Sequence, residues 1–433
     1  MKHNMLLASC MIIALQALTQ PGTLDSSFAN EGTLIEKKSQ GIGLAVALQQ
    51  DGKIIISGEG VVIPNSGSFL PFLLYRYNND GSADSGFGIN GMVETRFSVA
   101  ATVQSLAVQA DGKILATGQL GSDIGVVRYK QNGLLDSSFG TNGVSIVDLG
   151  AGEYSRALAL QSDGKIVVTG LISSNSSDNQ RAFIARFLSN GSLDDSFGKS
   201  GTTITEFKSE TNLFNIAIQA DGKILAGGGY DYYGRPRYIV VRYNTNGSAD
   251  STFGINGIAI SNSGRSDGDG TMYAIAFQHD GKIIGAGSGN NPNASTAGDM
   301  QIMRFNNNGT IDPSFGIGGR AFAVFGSQSI AKSVVVQNDD KIIIGGYTTY
   351  NLGSGNDIAL ARFTVDGILD LPFGVNGLQT TSLTNSSVAL AIAIQGDGKI
   401  VAAGEAYVNN PPGSHLSLVR YKGDPINISI TKK

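Results

Sequence analysis

The sequence contains almost no cysteine or histidine and no tryptophan. Among its 433 residues there are one Cys, three His and ten Pro. The single cysteine, Cys10, excludes an intramolecular disulfide. With only three histidines, a His-ligated metal ion or Ser-His-Asp catalysis is not favoured. The absence of Trp argues against WD-type repeats. The composition therefore points away from several common metal and hydrolase sites.

Charged residues and long apolar runs are also scarce. Only 15% of the residues are charged, with a net charge of -4, whereas nucleic-acid-binding proteins concentrate Lys and Arg on one face. We therefore expect no nucleic acid partner. No stretch reaches the roughly 18 consecutive apolar residues that a membrane span requires, so we also expect no transmembrane span.

Residues 1–20 precede the repeats described below and have the layout of a targeting segment. A short, weakly basic start is followed by an apolar run over residues 5–18, which favours a secretory signal peptide over a buried N-terminal element. The sequence Leu7-Ala8-Ser9-Cys10 resembles a bacterial lipoprotein signal, but the apolar run continues past Cys10. We expect an exported protein (secreted, periplasmic or on the cell surface), with a lipid anchor at Cys10 as the less favoured alternative.

Glycine is abundant, and most of the chain is an internal repeat. The 59 Gly residues indicate many tight turns. Seven copies of LDxSFGxxG, QxDGKI and an apolar stretch ending in RY or RF follow one another, with 52 to 60 residues between successive DGK aspartates. Such a period indicates one supersecondary unit whose faces are buried against its neighbours. The phenylalanines of the first element are Phe28, Phe87, Phe139, Phe197, Phe253, Phe315 and Phe373.

Each copy contains four short apolar runs separated by turn residues. In the second copy these are residues 92–97, 105–109, 113–117 and 126–129, and we predict that they form a four-stranded antiparallel meander in this order. Asp111-Gly112 predicts a tight hairpin between the second and third strands. Seven such units predict an all-β, seven-bladed β-propeller over residues 21–424, with an open solenoid as the alternative.

The two ends of the repeat region are complementary. The last copy stops after Arg420-Tyr421, and the first begins with the element that contains Phe28, so the chain starts where it stops, as a closed ring requires. We expect Phe28 to fill the slot behind the seventh blade. The C-terminal tail, residues 425–433, is predicted to add a closing strand.

These three elements, at this spacing and in this order, resemble the delta-60 repeat family of bacterial tandem-repeat proteins. The resemblance covers about residues 21–424 and rests on seven recurrences of all three elements. It implies a β-propeller in a bacterial, often exported, protein. It brings no established activity, cofactor or catalytic residue.

Two charges recur in every copy outside the DGK turn. We interpret them as structural groups that join the blades, because a residue needed for one site is not needed in seven places. The alternatives are a ring of Asp that binds metal ions and a ring of Arg that binds an anion. The arginines are Arg76, Arg128, Arg186, Arg242, Arg304, Arg362 and Arg420. The aspartates are Asp25, Asp84, Asp136, Asp194, Asp250, Asp312 and Asp370.

The differences between copies point to a candidate binding surface. Antiparallel order places the DGK turn and the LDxSFG connection on one end of the propeller, face B, and the variable loops on the other end, face A. Clustered Tyr and Arg are enriched at recognition hot spots, and packing of these aromatics on neighbouring blades is the alternative. The candidate binding residues are Tyr230, Tyr232, Tyr233, Arg235, Arg237, Tyr347, Tyr350 and Tyr407.

Other chemical signals are weak. Residues 266–270, with Asp267 and Asp269, resemble a fragment of a Ca²⁺ loop but lack a later carboxylate, so an ordinary loop is favoured and no cofactor or metal is expected. His415 is the one histidine that face A offers for catalysis, while His279 precedes a DGK turn.

The sequence favours an exported, noncatalytic, monomeric binding or surface-interaction module whose partner is a protein or glycan. A propeller hydrolase or lyase acting on a saccharide or lactone is the first alternative. A structural cell-surface repeat protein is the second.

Overall fold

A computed structural model describes ten segments of the chain: residues 20–37, 41–60, 71–150, 152–173, 180–231, 233–262, 268–292, 298–349, 355–410 and 412–425. Within these segments every regular element is a β-strand. None of the described residues belongs to a helix that is long and apolar enough to cross a membrane. The predicted targeting segment and the predicted closing strand of the tail lie outside the described residues, apart from Gln20 and Pro425.

In these ten segments, twenty-eight strands form seven four-stranded antiparallel sheets. The first fourteen strands are β1 (Thr33–Ile35), β2 (Gly41–Leu48), β3 (Ile54–Gly60), β4 (Phe72–Tyr77), β5 (Met92–Thr95), β6 (Ala101–Val108), β7 (Ile114–Leu120), β8 (Asp123–Tyr129), β9 (Val144–Val147), β10 (Glu153–Leu160), β11 (Ile166–Ile172), β12 (Gln180–Phe187), β13 (Thr202–Phe207) and β14 (Thr211–Ile218).

The second half of the chain repeats the same arrangement. Its strands are β15 (Ile224–Asp231), β16 (Pro236–Tyr243), β17 (Ile258–Ile260), β18 (Thr271–Phe277), β19 (Ile283–Gly289), β20 (Asp299–Phe305), β21 (Arg320–Ala323), β22 (Ser329–Val336), β23 (Ile342–Thr349), β24 (Asn356–Phe363), β25 (Leu378–Thr381), β26 (Ser386–Ile394), β27 (Ile400–Asn409) and β28 (Pro412–Tyr421).

The sheets are the blades of a closed propeller. The first six blades are β2 to β5, β6 to β9, β10 to β13, β14 to β17, β18 to β21 and β22 to β25, and the seventh contains β26, β27, β28 and β1. The first strands of successive blades contact one another, and β26 of the seventh blade contacts β2 of the first. They therefore surround a central axis, which confirms the seven-bladed β-propeller and excludes the open solenoid.

The predicted order of strands within a blade is wrong by one position. The strand that follows SFGxxG is the outermost strand of the preceding blade: β5 pairs with β4, with Phe72 opposite Thr95. The reason is local, because the short SFG segment reverses the chain beside the strand it has just left. The DGK turn therefore joins the first and second strands of a blade. The assignment of this turn and the SFG connection to the same end of the propeller is unchanged.

The two ends of the chain complete the seventh blade together. β1 pairs antiparallel with β28, with Leu34 opposite Leu418. Phe28 is fully buried and packs in a core that includes Ile54 of the first blade and Leu416 of the seventh. Phe28 thus lies at the predicted position behind the seventh blade, and the N-terminal strand supplies the closing edge.

The repeated charges form one recurring contact set between blades. In each copy the Arg Nε donates to the Asp Oδ2 at 2.7 to 2.9 Å. The same guanidinium lies over the SFG phenylalanine, 4.4 to 4.8 Å from the ring centroid. In most copies the Arg Nη1 also reaches a backbone carbonyl of the following blade, for example Arg242 to Asn307 at 2.5 Å. Each arginine thus binds its own turn and the next blade.

The aspartates of this contact set also fix the SFG turn. Asp136 Oδ1 accepts hydrogen bonds from the backbone N–H of Ser138 at 3.2 Å and from its hydroxyl at 2.8 Å. Burial raises the pKa of Asp136, but the bonds from Ser138 and the charges of Arg128 and Lys113 outweigh burial and lower it to about 2. The pKa of Asp312 is lowered to about 2 in the same way.

We expect acid to destabilise the protein through these aspartates. Their folded-state pKa lies below the ordinary value of 3.8, so their contribution to stability is complete above about pH 4 and is lost as the pH falls toward 2. Thermal melting followed by circular dichroism should show a melting temperature that is flat from pH 7 to 5 and falls below pH 4. Asp136→Asn should reduce the steepness of this fall, and an unchanged slope in that variant would contradict the assignment.

Candidate functional site

The predicted tyrosine and arginine patch of the fourth blade divides into an inner and an outer part. Tyr230 and Arg237 are half-buried and lie opposite each other on β15 and β16. Tyr233 is 87% exposed and has a φ of 52°, and Arg235 is exposed as well. Only Tyr230 and Arg237 therefore belong to the blade itself, whereas the other two lie at the tip of the hairpin.

The remaining predicted tyrosines lie on other blades. Tyr347 is half-buried on β23 of the sixth blade, and burial raises its pKa. Tyr407 is 40% exposed on β27 of the seventh blade, three blades from Tyr230. Tyr232 and Tyr350 lie outside the described residues. Among the described residues, the predicted tyrosines are thus distributed over the fourth, sixth and seventh blades.

A different set of nonrepeated residues does converge, at the axis. Each first strand contains a β-bulge, where one residue of the inner strand has no partner on the second strand. Bulges re-aim side chains and are common beside functional sites. We call these seven residues the bulge ring. Its members, in blade order, are Leu44, Gln104, Arg156, Phe214, Tyr273, Lys332 and Leu390.

Four members of the bulge ring form a continuous row across four blades. The Arg156 guanidinium lies 5.8 Å from the centroid of the Phe214 ring. The rings of Phe214 and Tyr273 have centroids 5.2 Å apart and are tilted by 38°. The Lys332 ammonium lies 3.7 Å from the centroid of Tyr273. The row therefore runs cation, aromatic, aromatic, cation.

The two cations of this row are electrostatically unusual. Neither Arg156 nor Lys332 has a hydrogen bond or an ion pair within the described part of the chain, and Arg156 Nε is buried without an acceptor. Burial lowers the pKa of both side chains. Burial, with a smaller contribution from Tyr347, raises the pKa of Tyr273. The row thus combines two half-buried cations with a half-buried phenol.

A cleft on face A leads to this row. It has a volume of about 140 Å³ and lies between the fourth and fifth blades. Phe214 of the bulge ring and Tyr230 provide its aromatic surface, and its polar lining includes Glu210, Asn212 and Asp231. Concave sites that combine aromatic side chains with a few convergent polar groups are the usual form of ligand sites.

Two larger cavities among the described residues lie on face B and are lined mainly by repeat residues. One of about 730 Å³ lies between the third and fourth blades and includes Asp163, Lys165 and Arg186. Another, of about 540 Å³, lies beside the DGK turns of the fourth to sixth blades. Because these residues recur in every copy and hold the blades together, the size of these cavities does not identify them as sites.

The predicted calcium segment has a structural role for its described aspartate. Asp269 is 2% exposed, and its Oδ1 lies 3.4 Å from Arg320 Nη1. A separate group of carboxylates, which the sequence did not indicate, consists of Asp123, Asp148 and Glu153, whose ligand atoms lie within 4.8 Å of one another. Asp148 and Glu153 accept hydrogen bonds from backbone N–H groups of their own loop.

Neither of the two described histidines has an exposed side chain on face A. His415 is 1% exposed, and its Nδ1 lies 3.0 Å from the carbonyl oxygen of Glu36. It therefore packs where the two chain ends meet, and not at a channel mouth. His279 contacts Asp340 Oδ1 through both its backbone N–H and its Nδ1, each at 2.8 Å.

That contact explains the aberrant turn of the sixth copy. Asp340 replaces the usual Gly and has a φ of 62°, a conformation that is strained for a residue with a Cβ. The turn is therefore strained at Asp340, and His279 of the neighbouring blade holds the Asp340 carboxylate.

Sequence reasoning missed the bulge ring, although the repeat contains its signal. Every member lies seven positions before the Asp of the DGK turn. That position has six residue types in seven copies, between positions that are mostly small or apolar. Comparing the copies column by column would have marked it as a position of the inner strand that combines cations, aromatics, an amide and leucine.

The fold and the axis define a class: a seven-bladed β-propeller whose repeated residues join the blades and whose inner strands bring nonrepeated residues to the axis. The chain belongs to the family described as "Domain of unknown function (DUF5122) beta-propeller". Its model matches residues 49–87, 109–139, 161–197, 219–253, 278–315, 337–373 and 395–424. No curated protein matches the chain in sequence.

Solved structures with low sequence identity resemble the fold. A polysaccharide lyase is 11% identical, with 88% of this chain and 90% of that chain covered and a TM-score of 0.45. An α-L-arabinofuranosidase from Fusarium graminearum is 9% identical, with coverages of 75% and 98% and a TM-score of 0.45. PorZ of Porphyromonas gingivalis, a bacterial surface component of a secretion system, is 11% identical, with coverages of 86% and 46% and a TM-score of 0.44. These neighbours include enzymes and a surface component, so they do not determine a function.

Proposed function

We propose that the protein is an exported, noncatalytic binding module whose ligand, a glycan or a protein, enters at the face A end of the axis. The single observation that carries this proposal is the convergence of nonrepeated side chains at the bulge ring and the adjoining cleft. The repeated Arg, Asp and Phe residues join the blades, whereas the residues of the bulge ring differ from copy to copy.

The scaffold suits this role because the site is built on strands. Phe214 lies at the bulge of β14 and Tyr230 lies on β15, and the two strands are paired on both sides of the bulge. Aromatic side chains held in this way provide contact area at low entropic cost, and Tyr is enriched among the residues that dominate binding energy. A preformed cleft also reduces the cost of ordering the site on binding.

Hydrolysis or elimination of a saccharide is the second candidate function. The observation that favours it is Glu405, a half-buried carboxyl on β27 whose pKa is raised by burial, although a hydrogen bond with Ser414 lowers it. A raised pKa is what a general acid requires. Product formation from polysaccharides that is abolished by Glu405→Gln would support this candidate over a noncatalytic module.

Export and membership of the delta-60 repeat family are parts of the same proposal. The apolar run of residues 5–18 supports a cleaved signal peptide. Mass spectrometry of the mature N-terminus is the direct test: cleavage near residue 20 supports export, a lipidated Cys10 supports anchoring, and an intact Met1 contradicts both.

We expect Phe214→Ala and Tyr230→Ala to abolish or strongly weaken ligand binding without unfolding the protein. Each removes an aromatic wall of the cleft, and loss of such an anchor typically costs about 2 kcal/mol or more of binding free energy. The measurement is binding to a glycan and surface-protein array, followed by calorimetry with the best ligand. Tyr233→Ala, at the exposed hairpin tip, is the matched control and should bind normally. Loss of binding in Tyr233→Ala, with normal binding in Phe214→Ala and Tyr230→Ala, would indicate that the ligand binds at the hairpin tip instead.

A further inference from the structure

We propose that Arg156 and Lys332 bind an anionic group of the ligand, a carboxylate or a phosphate or sulfate ester, at the bulge ring. This inference rests on the proposed function in one respect, which is that a ligand reaches the axis from face A. It adds the chemical class of that ligand and two residues that contact it.

The first argument is that these two cations differ from the repeated ones. Every repeated arginine donates a hydrogen bond to a repeated aspartate, as Arg186 does to Asp194 at 2.8 Å. Every DGK lysine lies within 4 Å of two aspartates, as Lys223 lies 3.0 Å from Asp250 and 3.8 Å from Asp221. Buried charges in proteins are normally paired in this way. Arg156 and Lys332 have no such partner in the described part of the chain.

The second argument is the cost of this arrangement. The other members of the bulge ring are leucines, an amide and two aromatics, so the ring contains no acidic side chain. The contacts with Phe214 and Tyr273 offset part of the desolvation of the cations, but a buried N–H without an acceptor costs free energy. An anion supplied by a ligand would provide the missing acceptor.

The third argument is position. Arg156 is on the third blade and Lys332 on the sixth, and the aromatic pair lies between them. Phe214 also lines the face A cleft, so the cleft leads to the row that ends in these cations. The arrangement fits a ligand that carries a flat or apolar body together with an anionic group.

The test is calorimetric titration of the full chain with named probes. These are inorganic phosphate, sulfate, citrate and trigalacturonate, with uncharged galactotriose as the neutral control. We expect at least one anionic probe to bind, and Arg156→Gln or Lys332→Gln to weaken it by about tenfold to a hundredfold, since hydrogen bonds to charged groups contribute about 1.5–3 kcal/mol. Comparing trigalacturonate with phosphate and sulfate distinguishes recognition of a saccharide carboxylate from recognition of a free phosphate or sulfate. Lys130→Gln, an exposed site on β8's trailing turn, should leave the affinity unchanged.

Stability provides a second readout that a merely structural role would not give. If the two cations are retained for binding, Lys332→Met should melt at the same or a higher temperature without ligand, because it removes an unpaired, half-buried charge. The anionic probe should raise the melting temperature of the wild-type protein but not of the variant. A structural role predicts the opposite, a large loss of stability in Lys332→Met.

Two outcomes would overturn this inference, and both leave the proposed function separately testable. One is that none of the anionic probes binds to the wild-type protein. The other is that they bind equally well to Arg156→Gln and Lys332→Gln. If Phe214→Ala and Tyr230→Ala still abolish binding of a neutral glycan or protein, the binding module stands and only the anionic class fails.

Discussion

Arg128→Leu should lower the free energy of unfolding by about 3 kcal/mol or more, because it leaves a buried carboxylate without its principal partner. Arg128 is 5% exposed, donates to Asp136 Oδ2 at 2.8 Å and lies 4.6 Å from the Phe139 ring centroid. Its Nη1 donates to the carbonyl of Ser189 in the next blade. One substitution therefore removes contacts within a blade and between two blades.

The measurement is urea unfolding followed by far-ultraviolet circular dichroism, since the chain has no tryptophan for fluorescence. Lys130→Leu, two residues further on and exposed, is the control and should change the free energy of unfolding by less than about 0.5 kcal/mol. The double variant Arg128→Leu with Asp136→Leu should be less destabilised than Arg128→Leu alone, because it leaves no unpaired charge. A single variant as stable as the wild-type protein would show that the contact set does not hold the blades together.

The second large effect concerns β1, the strand that closes the ring. Proline substitutions at the neighbouring positions Leu34 and Ile35 should differ sharply in their effect on stability. Glu36 N donates to the Leu416 carbonyl at 2.9 Å, and Arg420 N donates to the Gly32 carbonyl at 2.8 Å. In an antiparallel pair of strands, hydrogen-bonded and non-hydrogen-bonded residue pairs alternate. The Leu34 N–H therefore bonds to Leu418, whereas the Ile35 N–H points away from β28. Leu34→Pro should therefore break the closing ladder, whereas Ile35→Pro occupies a position that edge strands tolerate.

We expect Leu34→Pro to cost about 3 kcal/mol and to make the seventh blade sensitive to limited proteolysis. Ile35→Pro should cost much less and keep the blade protected. The paired measurement is proteolysis with mass spectrometry of the fragments, alongside thermal melting. Equal behaviour of the two variants would mean that β1 does not close the ring through its hydrogen bonds.

The repeated part of the fold was predictable because the same sequence pattern recurs in seven copies. The DGK turn, the SFG turn and the RY strand each have a local physical signal, and their recurrence gives the number of blades. The order of strands within a blade was not predictable from one copy. Residues 92–97 are equally compatible with the start of one blade and the end of another, and only the pairing of Phe72 with Thr95 decides between them.

The candidate site was harder to predict for a related reason. Tyr233 and Arg235 attract attention in the sequence because they are clustered, and in the structure they lie at the exposed tip of the hairpin between β15 and β16. Arg156, Phe214, Tyr273 and Lys332 are isolated in the sequence and meet only because four blades bring the same bulge position to the axis. Convergence across repeats depends on closure of the ring, which no single segment encodes.

The pairing of β1 with β28 also sets an order of events during folding. The strands of the first six blades follow one another directly, so their sheets form from contacts that are close in sequence, and such contacts form fast. The seventh blade must instead wait until residues 412–421 have been synthesised and can meet residues 33–35. Until then β26, β27 and β28 lack their fourth strand and expose an edge on which another chain can add. We therefore expect the slowest folding phase, and the greatest risk of aggregation, to accompany this last step.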